Sequence, residues 1–443
     1  MNFAPRPEAR GTVRRIFNNL GLLLGGKAAA GIISLGYLVI AARALGPSDY
    51  GMLVLMHAYV LTIDGIINFP GWQAIVRYGV EPLNLGHHAL LIRLLRFTAA
   101  IELAVGMLAV AVAAALAGIL GPKLGWSAEA QAFAPIYSLA ALANMRSTPS
   151  GLLQLLGRFD LLGMHHAISP IIRLVGALIA VAGGYGLTGF LIAWLLAALL
   201  ECVSMWLMGF GAARRAFMHE KLIGPVSDMR KEITGIGRFM WAANGDTTFG
   251  QLAAQIAPLA VGWVLGPVSA GFYAVAQRAT SVIAQPAQIL GQATYAEFSR
   301  LIAAGGRGAP LRKAVFHSVG IGMLSSIPVL LAIGFFGSAI GILIGGQAFA
   351  LAAPVMLWLA LARSVLIIAP TASSALVAMG RPWRSASAIM VTSLGMLPLL
   401  PLMMAHWGLE AAGIHALLQA FITSVVLVYL VGITSREKTP QSI

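Results

Sequence analysis

The sequence predicts an all-α integral membrane protein of twelve transmembrane helices, arranged as two pseudo-symmetric six-helix lobes around a central cavity. Three observations carry that expectation. First, the 443 residues are 59% hydrophobic and only 10% charged. A soluble domain carries about 25% charged residues, so this chain cannot cover itself with polar surface and its solvent must be lipid. Second, twelve apolar segments reach the ~20 residues a helix needs to cross a bilayer. Third, a short motif occurs twice: "RALGPSDYGMLV" from Arg43 and "WVLGPVSAGFYAV" from Trp263 both contain Leu-Gly-Pro, then three residues, then Gly, at an offset of 220.

The first lobe, 1–211, holds spans at 16–42, 50–76, 97–118, 130–156, 161–183 and 186–210. The second, 239–435, holds spans at 239–264, 269–296, 314–336, 347–378, 385–405 and 410–433. The stretch 212–238 is the longest polar one and reads as a cytoplasmic linker; 436–443 is a short tail. Arg10, Arg14 and Arg15 ahead of "LGLLLGG" mimic a secretory signal. Lys27 interrupts that apolar run, which continues to Ala42, so the first span is expected to stay uncleaved.

Orientation follows from Lys and Arg. Of 29 such residues, 22 fall at the termini, the linker and the loops of one side, two (Arg43 and Lys123) fall on the other, and five lie inside spans. Cytoplasmic loops are enriched in these residues, so both termini and the linker are expected in the cytoplasm. The net charge of +14 is then an orientation device, and no nucleic-acid partner is needed to explain it. The lone cysteine, Cys202, excludes a disulfide framework and a Cys-based metal site.

Further matches keep the offset. Gly71 pairs with Gly291, Arg93 with Lys313, Pro135 with Pro354, and Gly157-Arg158 with Gly380-Arg381. Because six spans is an even number, both copies start on the same side, giving a parallel repeat about an axis along the membrane normal. Such repeats suit transporters with a site between the halves and alternating access. The Leu-Gly-Pro motif falls at the outer turn after spans 1 and 7, where Pro cannot continue the preceding helix and Gly permits a tight turn.

"AARALGPSDYGMLVLMHAYVL" and "GWVLGPVSAGFYAVAQRATSVIAQPAQILGQATYAEFSRL" resemble the first hairpin, and its second-half counterpart, of bacterial polysaccharide flippases. These belong to the multidrug/oligosaccharidyl-lipid/polysaccharide exporter superfamily, with its MATE-like architecture. "NGD" at Asn244–Asp246 resembles the family's polar seventh span. The resemblance implies movement of undecaprenyl-diphosphate-linked oligosaccharides from the cytoplasmic to the outer leaflet of the bacterial inner membrane, for lipopolysaccharide or exopolysaccharide synthesis. It also implies that spans 1, 2, 7 and 8 line the cavity. Lipid-linked oligosaccharide, membrane lipids, polysaccharide polymerase or assembly proteins and a coupling ion, H+ or Na+, are the expected partners. No cofactor, metal or catalytic motif is expected. The alternative is an ion-coupled multidrug or cation antiporter of the same superfamily.

Ionisable groups inside hydrocarbon usually face a bundle interior or a wet cavity. The basic ones are Lys27, Arg146, Arg173, Arg278 and Arg363; the acidic ones are Asp64, Glu102, Glu201 and Asp246. Lys27, Arg146, Arg278 and Arg363, with Asn244, are the candidate substrate site, because Arg offers bidentate contacts to phosphate. Asp64 and Asp246 are candidates for ion coupling, or for simple charge pairing with Lys27 and Arg278 respectively. The near-match "GLLLGGKA" to a phosphate-binding loop lacks both the hydroxyl and a preceding strand. His87-His88 and His165-His166 read as solvated or interfacial. Pro258, Pro286, Pro328, Pro370 and Pro398 are expected to kink their spans.

Overall fold

The structure is a computed structural model that describes the backbone of residues 9–67, 71–218, 220–283, 294–295, 297–302, 304, 306 and 308–437. Side chains are described within these except at 9–20, 22–24 and 241–254. The described residues contain helices and no strand.

In chain order the helices are α1 (Ala9–Ile67), α2 (Trp72–Asn84), α3 (His88–Lys123), α4 (Ala128–Tyr137), α5 (Ser147–Leu155), α6 (Phe159–Gly183), α7 (Gly186–Ala216) and α8 (Met229–Glu232). They continue as α9 (Ile236–Thr280), α10 (Ala309–Gly345), α11 (Ala353–Leu366), α12 (Ile368–Ala378), α13 (Pro382–Met396), α14 (Leu399–Trp407) and α15 (Glu410–Thr434). Each of the twelve predicted segments is mainly helical where it is described, with interruptions inside several of them; 68–70 of the second and 284–293 and 296 of the eighth lie outside the described residues.

Among the described residues, eight helical stretches are long and apolar enough to cross a membrane, or nine with the α13–α14 pair, which bends by 42°. One of the eight, Gly25–Ile67, has 43 residues. At 1.5 Å per residue a straight helix of that length would run about 65 Å, roughly twice a bilayer's hydrocarbon thickness. It is broken at Gly46, whose φ of 68° and ψ of −179° interrupt the helix immediately before Pro47. The same break recurs in α9 at Gly266, with φ 81° and ψ 176°, before Pro267. The duplicated motif thus encodes the duplicated helix break, in a backbone region open essentially to glycine alone.

The prolines behave differently from one another. Pro258 and Pro328 sit within α9 and α10, where the break in α9 comes at Gly266 instead. Pro370 follows the junction of α11 and α12, and Pro398 caps α14 at the 42° bend. Pro286 lies outside the described residues.

The chain forms two compact units. The first comprises residues 1–44, 59–122 and 127–251; the second comprises 45–58, 123–126 and 252–443. In the first unit, α2, α3 and α5 close over Leu91, Leu94, Phe97 and Leu152. The polar stretch after α7 is not a loose connector there, because Met229 and Ile236 are completely buried in this core. Arg93 also pairs with Glu232 at 2.9 Å. The linker is thus a packed strap.

In the second unit, α10, α12 and α15 pack around Phe298, Leu311, Ala372, Leu376 and Leu427. The two copies of the motif meet inside this unit. A Cβ on Gly51 would fall onto the Pro267 carbonyl and 2.9 Å from Gly271 N, and one on Gly271 would fall onto the Pro47 carbonyl. The contact is reciprocal: the glycine of each copy receives the proline carbonyl of the other. Phe349, fully buried, stacks edge-on against both Tyr50 and Phe272, at 6.0 and 5.6 Å.

Large apolar side chains stay exposed along the helices, among them Phe335, Phe336 and Leu343 of α10. On a chain this poor in charge they are the lipid-facing surface.

Candidate functional site

The fourth predicted span is the irregular one. α4 runs into a 3-10 segment, Ser138–Asn144; the chain breaks at Met145 (ψ 59°) and Arg146 (φ −138°), and α5 resumes at Ser147. A break inside an apolar layer strands backbone donors and acceptors, each costing several kcal/mol if left without a partner. The first unit supplies partners from three other helices.

Glu102 of α3 accepts from both new helix donors, Ser147 N–H on one oxygen and Thr148 N–H at 2.9 Å on the other. A carboxylate at a helix start also complements the positive end of the helix dipole. Trp206 and Cys202 of α7 donate to the Met145 carbonyl, at 2.6 and 3.5 Å. Ser147 Oγ accepts from Trp72 N–H at 2.9 Å, tying the break to the start of α2.

The residues flanking the break carry charge pairing. Asn144 donates to Asp64 of α1, which is 2% exposed. Arg146 forms an ion pair with Glu201 of α7, and its side chain remains 34% exposed. His165 of α6 bonds the Glu201 carbonyl at 2.9 Å. A guanidinium carries five N–H donors and one carboxylate engages two at most, so Arg146 keeps donors for an anion.

Among the candidates, the structure therefore gathers Asp64 and Arg146 around one helix break and adds Asn144, Glu102 and Glu201 to them. Asp64, a candidate for ion coupling or for pairing with Lys27, accepts a hydrogen bond from Asn144. Lys27 itself is exposed, beside Gly26, where a Cβ would collide with the Gly163 backbone of α6. Arg173 lies over the rings of Tyr37 and Trp194, at 5.8 and 5.4 Å. His165 corrects the sequence reading: it is buried, 2% exposed, and not solvated, because its ring faces α7 while the adjacent His166 faces outward.

In the second unit Arg363 of α11 donates to the Gln277 carbonyl at 3.3 Å, near the end of α9. Gln277 directly precedes Arg278 in α9. The Ser281 hydroxyl holds the Arg278 carbonyl at 2.6 Å as the helix tightens into a 3-10 turn. Asn244 and Asp246 fall on the backbone of α9, and their side chains lie outside the described ones. Among the described residues no cluster of His, Cys, Asp and Glu could hold a metal ion.

Sequence reasoning named Glu102 and Glu201 as intramembrane acids but did not place them at the site. The signal was present in their number: two acids on spans 3 and 6 have no basic neighbour on their own helices within the membrane.

The sequence model of the polysaccharide biosynthesis protein family matches residues 16–302. The chain belongs to that family. It is 28% identical over 324 residues to the inner membrane protein YghQ of Escherichia coli K12, across 73% of this chain and 91% of that one. The lipid II flippase MurJ, in an inward closed conformation, superposes with a TM-score of 0.70 at 14% identity, covering 92% of this chain and 86% of MurJ. An inward-facing multidrug resistance MATE transporter of the MOP superfamily gives 0.66 at 15% identity, covering 94% of each chain. At these identities the superpositions establish the fold, which this chain shares with both transporters. The polysaccharide family member is thus an all-helical, multi-pass membrane protein with this architecture.

Proposed function

We propose that this protein is a flippase that moves polyprenyl-diphosphate-linked oligosaccharide repeat units from the cytoplasmic to the outer leaflet of the bacterial inner membrane. The observation that carries the reading is the family match over 16–302, on a chain whose fold is shared with a lipid II flippase and with MATE transporters. The two repeats, 1–211 and 239–435, act as lobes that rock around a central cavity, with 212–238 joining them on the cytoplasmic side and 436–443 as a tail on that side. Arg146, Arg278 and Arg363, with Lys27 and Asn244, hold the diphosphate and acidic sugars. Asp64 and Asp246 carry a coupling ion, H+ or Na+, or balance the site's positive charge. Polymerase or assembly proteins receive the product in the outer leaflet. The inner-membrane assignment draws on the likeness to YghQ.

The geometry supports the reading in one respect above others. Arg146 sits at a broken span, where transporters place their binding groups, and it is partly exposed, so an anion can reach it. The test is deletion of the gene, with the leaflet of accumulating lipid-linked repeat units measured beside surface polysaccharide. Accumulation in the cytoplasmic leaflet, restored by the wild-type gene and not by Arg278→Ala, is the expected result. Normal sidedness together with new drug sensitivity would replace the flippase with the antiporter.

A further inference from the structure

The first unit holds a lateral groove of about 560 Å³ whose inner end reaches the helix break at Met145 and Thr148 and whose outer part carries none of the candidate substrate residues. Its walls come from α3 (Ile92, Ala99, Leu103), from α7 (Trp206, Phe210) and from the strap (Val226). Arg96 is the one charged residue on its lining. Arg96 is committed to the strap: it donates to the Leu222 carbonyl at 3.1 Å and to the Lys221 carbonyl. Gly224 lies so close that a Cβ there would stand 2.6 Å from the guanidinium. The strap therefore forms a fixed wall of the groove.

A second recess of about 410 Å³ adjoins it, sharing Phe210, Leu222 and Ile223. This one is polar, with Arg214, Lys221 and Glu220 on its lining. The combination is an apolar slot continuous with a recess of net positive charge. Leu103 and Ile223, 54% and 81% exposed, mark the side on which the slot opens. On this lipid-facing surface the available occupant is an amphiphile with one chain in the slot and an anionic head beside Arg214 and Lys221. The slot volume falls within the roughly 300–1,000 Å³ of pockets that take a single drug-sized ligand. Basic recesses at the membrane surface recognise anionic headgroups.

We propose that the groove and recess together bind an anionic glycerophospholipid, with one acyl chain against Ala99, Leu103 and Trp206 and its phosphate beside Arg214 and Lys221. The lipid clamps the strap to α3 and α7. Its polar end calls for a small diester head such as that of phosphatidylglycerol, with Glu220 placed to accept a headgroup hydroxyl.

The full-length protein in detergent is photolabelled with phosphatidylglycerol carrying a diazirine in one acyl chain, and adducts are mapped by mass spectrometry. Adducts concentrate on the α3 and α7 residues of the slot and fall several-fold when Ala100→Phe fills it. The double variant Arg214→Glu/Lys221→Glu, altered only at exposed positions, loses the preference over a phosphatidylcholine probe. Gel filtration and helical circular dichroism show both variants folded. Labelling that spreads equally over exposed faces such as Phe335 and Phe336, or that ignores both variants, overturns the site. Labelling that excess polyprenyl phosphate removes and excess unlabelled phosphatidylglycerol does not overturns the occupant.

Discussion

Glu102 gives the sharpest stability prediction. Its two oxygens accept from Ser147 N–H and Thr148 N–H, and all three residues are buried, at 2%, 8% and 4% exposure. Glu102→Ala removes both acceptors and leaves two donors stranded at a helix start. Each buried donor left without a partner costs about 1–3 kcal/mol, so the pair together costs about 2–6 kcal/mol. Glu102→Gln keeps one acceptor and turns an N–H against the other donor, so it costs about 1–3 kcal/mol. Trp206 bonds the neighbouring Met145 carbonyl and reports on the break directly. Heating the purified protein in detergent while following tryptophan emission should rank the melting points wild type, Glu102→Gln, Glu102→Ala. A Glu102→Ala protein that melts with the wild type would refute the capping role.

The glycines of the duplicated turn should fail for two distinct reasons. Gly51→Ala and Gly271→Ala each drive a methyl into a backbone carbonyl that cannot rotate away, costing about 1–3 kcal/mol or more of stability, whereas Gly46→Ala meets open space and suffers only the backbone strain of φ 68°. Restoring membrane yield by cooling should rescue Gly46→Ala more fully, as measured by folded protein per cell. Met229→Ala empties a fully buried strap position and should cost about 2–5 kcal/mol, read as faster proteolysis of the strap. Arg363→Lys should keep the charge and lose the planar donor set; on the flippase reading it complements a deletion partially, while Arg363→Ala does not, as scored by surface polysaccharide.

The two interruptions at Gly46 and Gly266 were legible because Gly and Pro stand together there, and because the pattern is written twice. Repetition also made the architecture legible, since each apolar segment is mainly helical where it is described. The break at Met145 was not legible. No Gly or Pro stands at the break itself, within "ANMRST", and the partners that make it tolerable come from Glu102, Cys202 and Trp206, far away in sequence. The sequence displayed the charges of the site but not their pairing, which depends on which faces of four helices meet. The packing of the linker was not legible for a related reason: its polar composition conceals Met229 and Ile236, two apolar residues that pin it into the core.

The most direct measurement is made with the purified protein in vesicles containing a polyprenyl-diphosphate oligosaccharide, following how much of the sugar becomes accessible to a glycosidase added outside. The flippase reading predicts protein-dependent exposure of sugar that had been protected inside, abolished by Arg278→Ala and absent for the same oligosaccharide on a neutral lipid. Sugar that stays protected, in vesicles that exchange an organic cation for H+ or Na+, would contradict it.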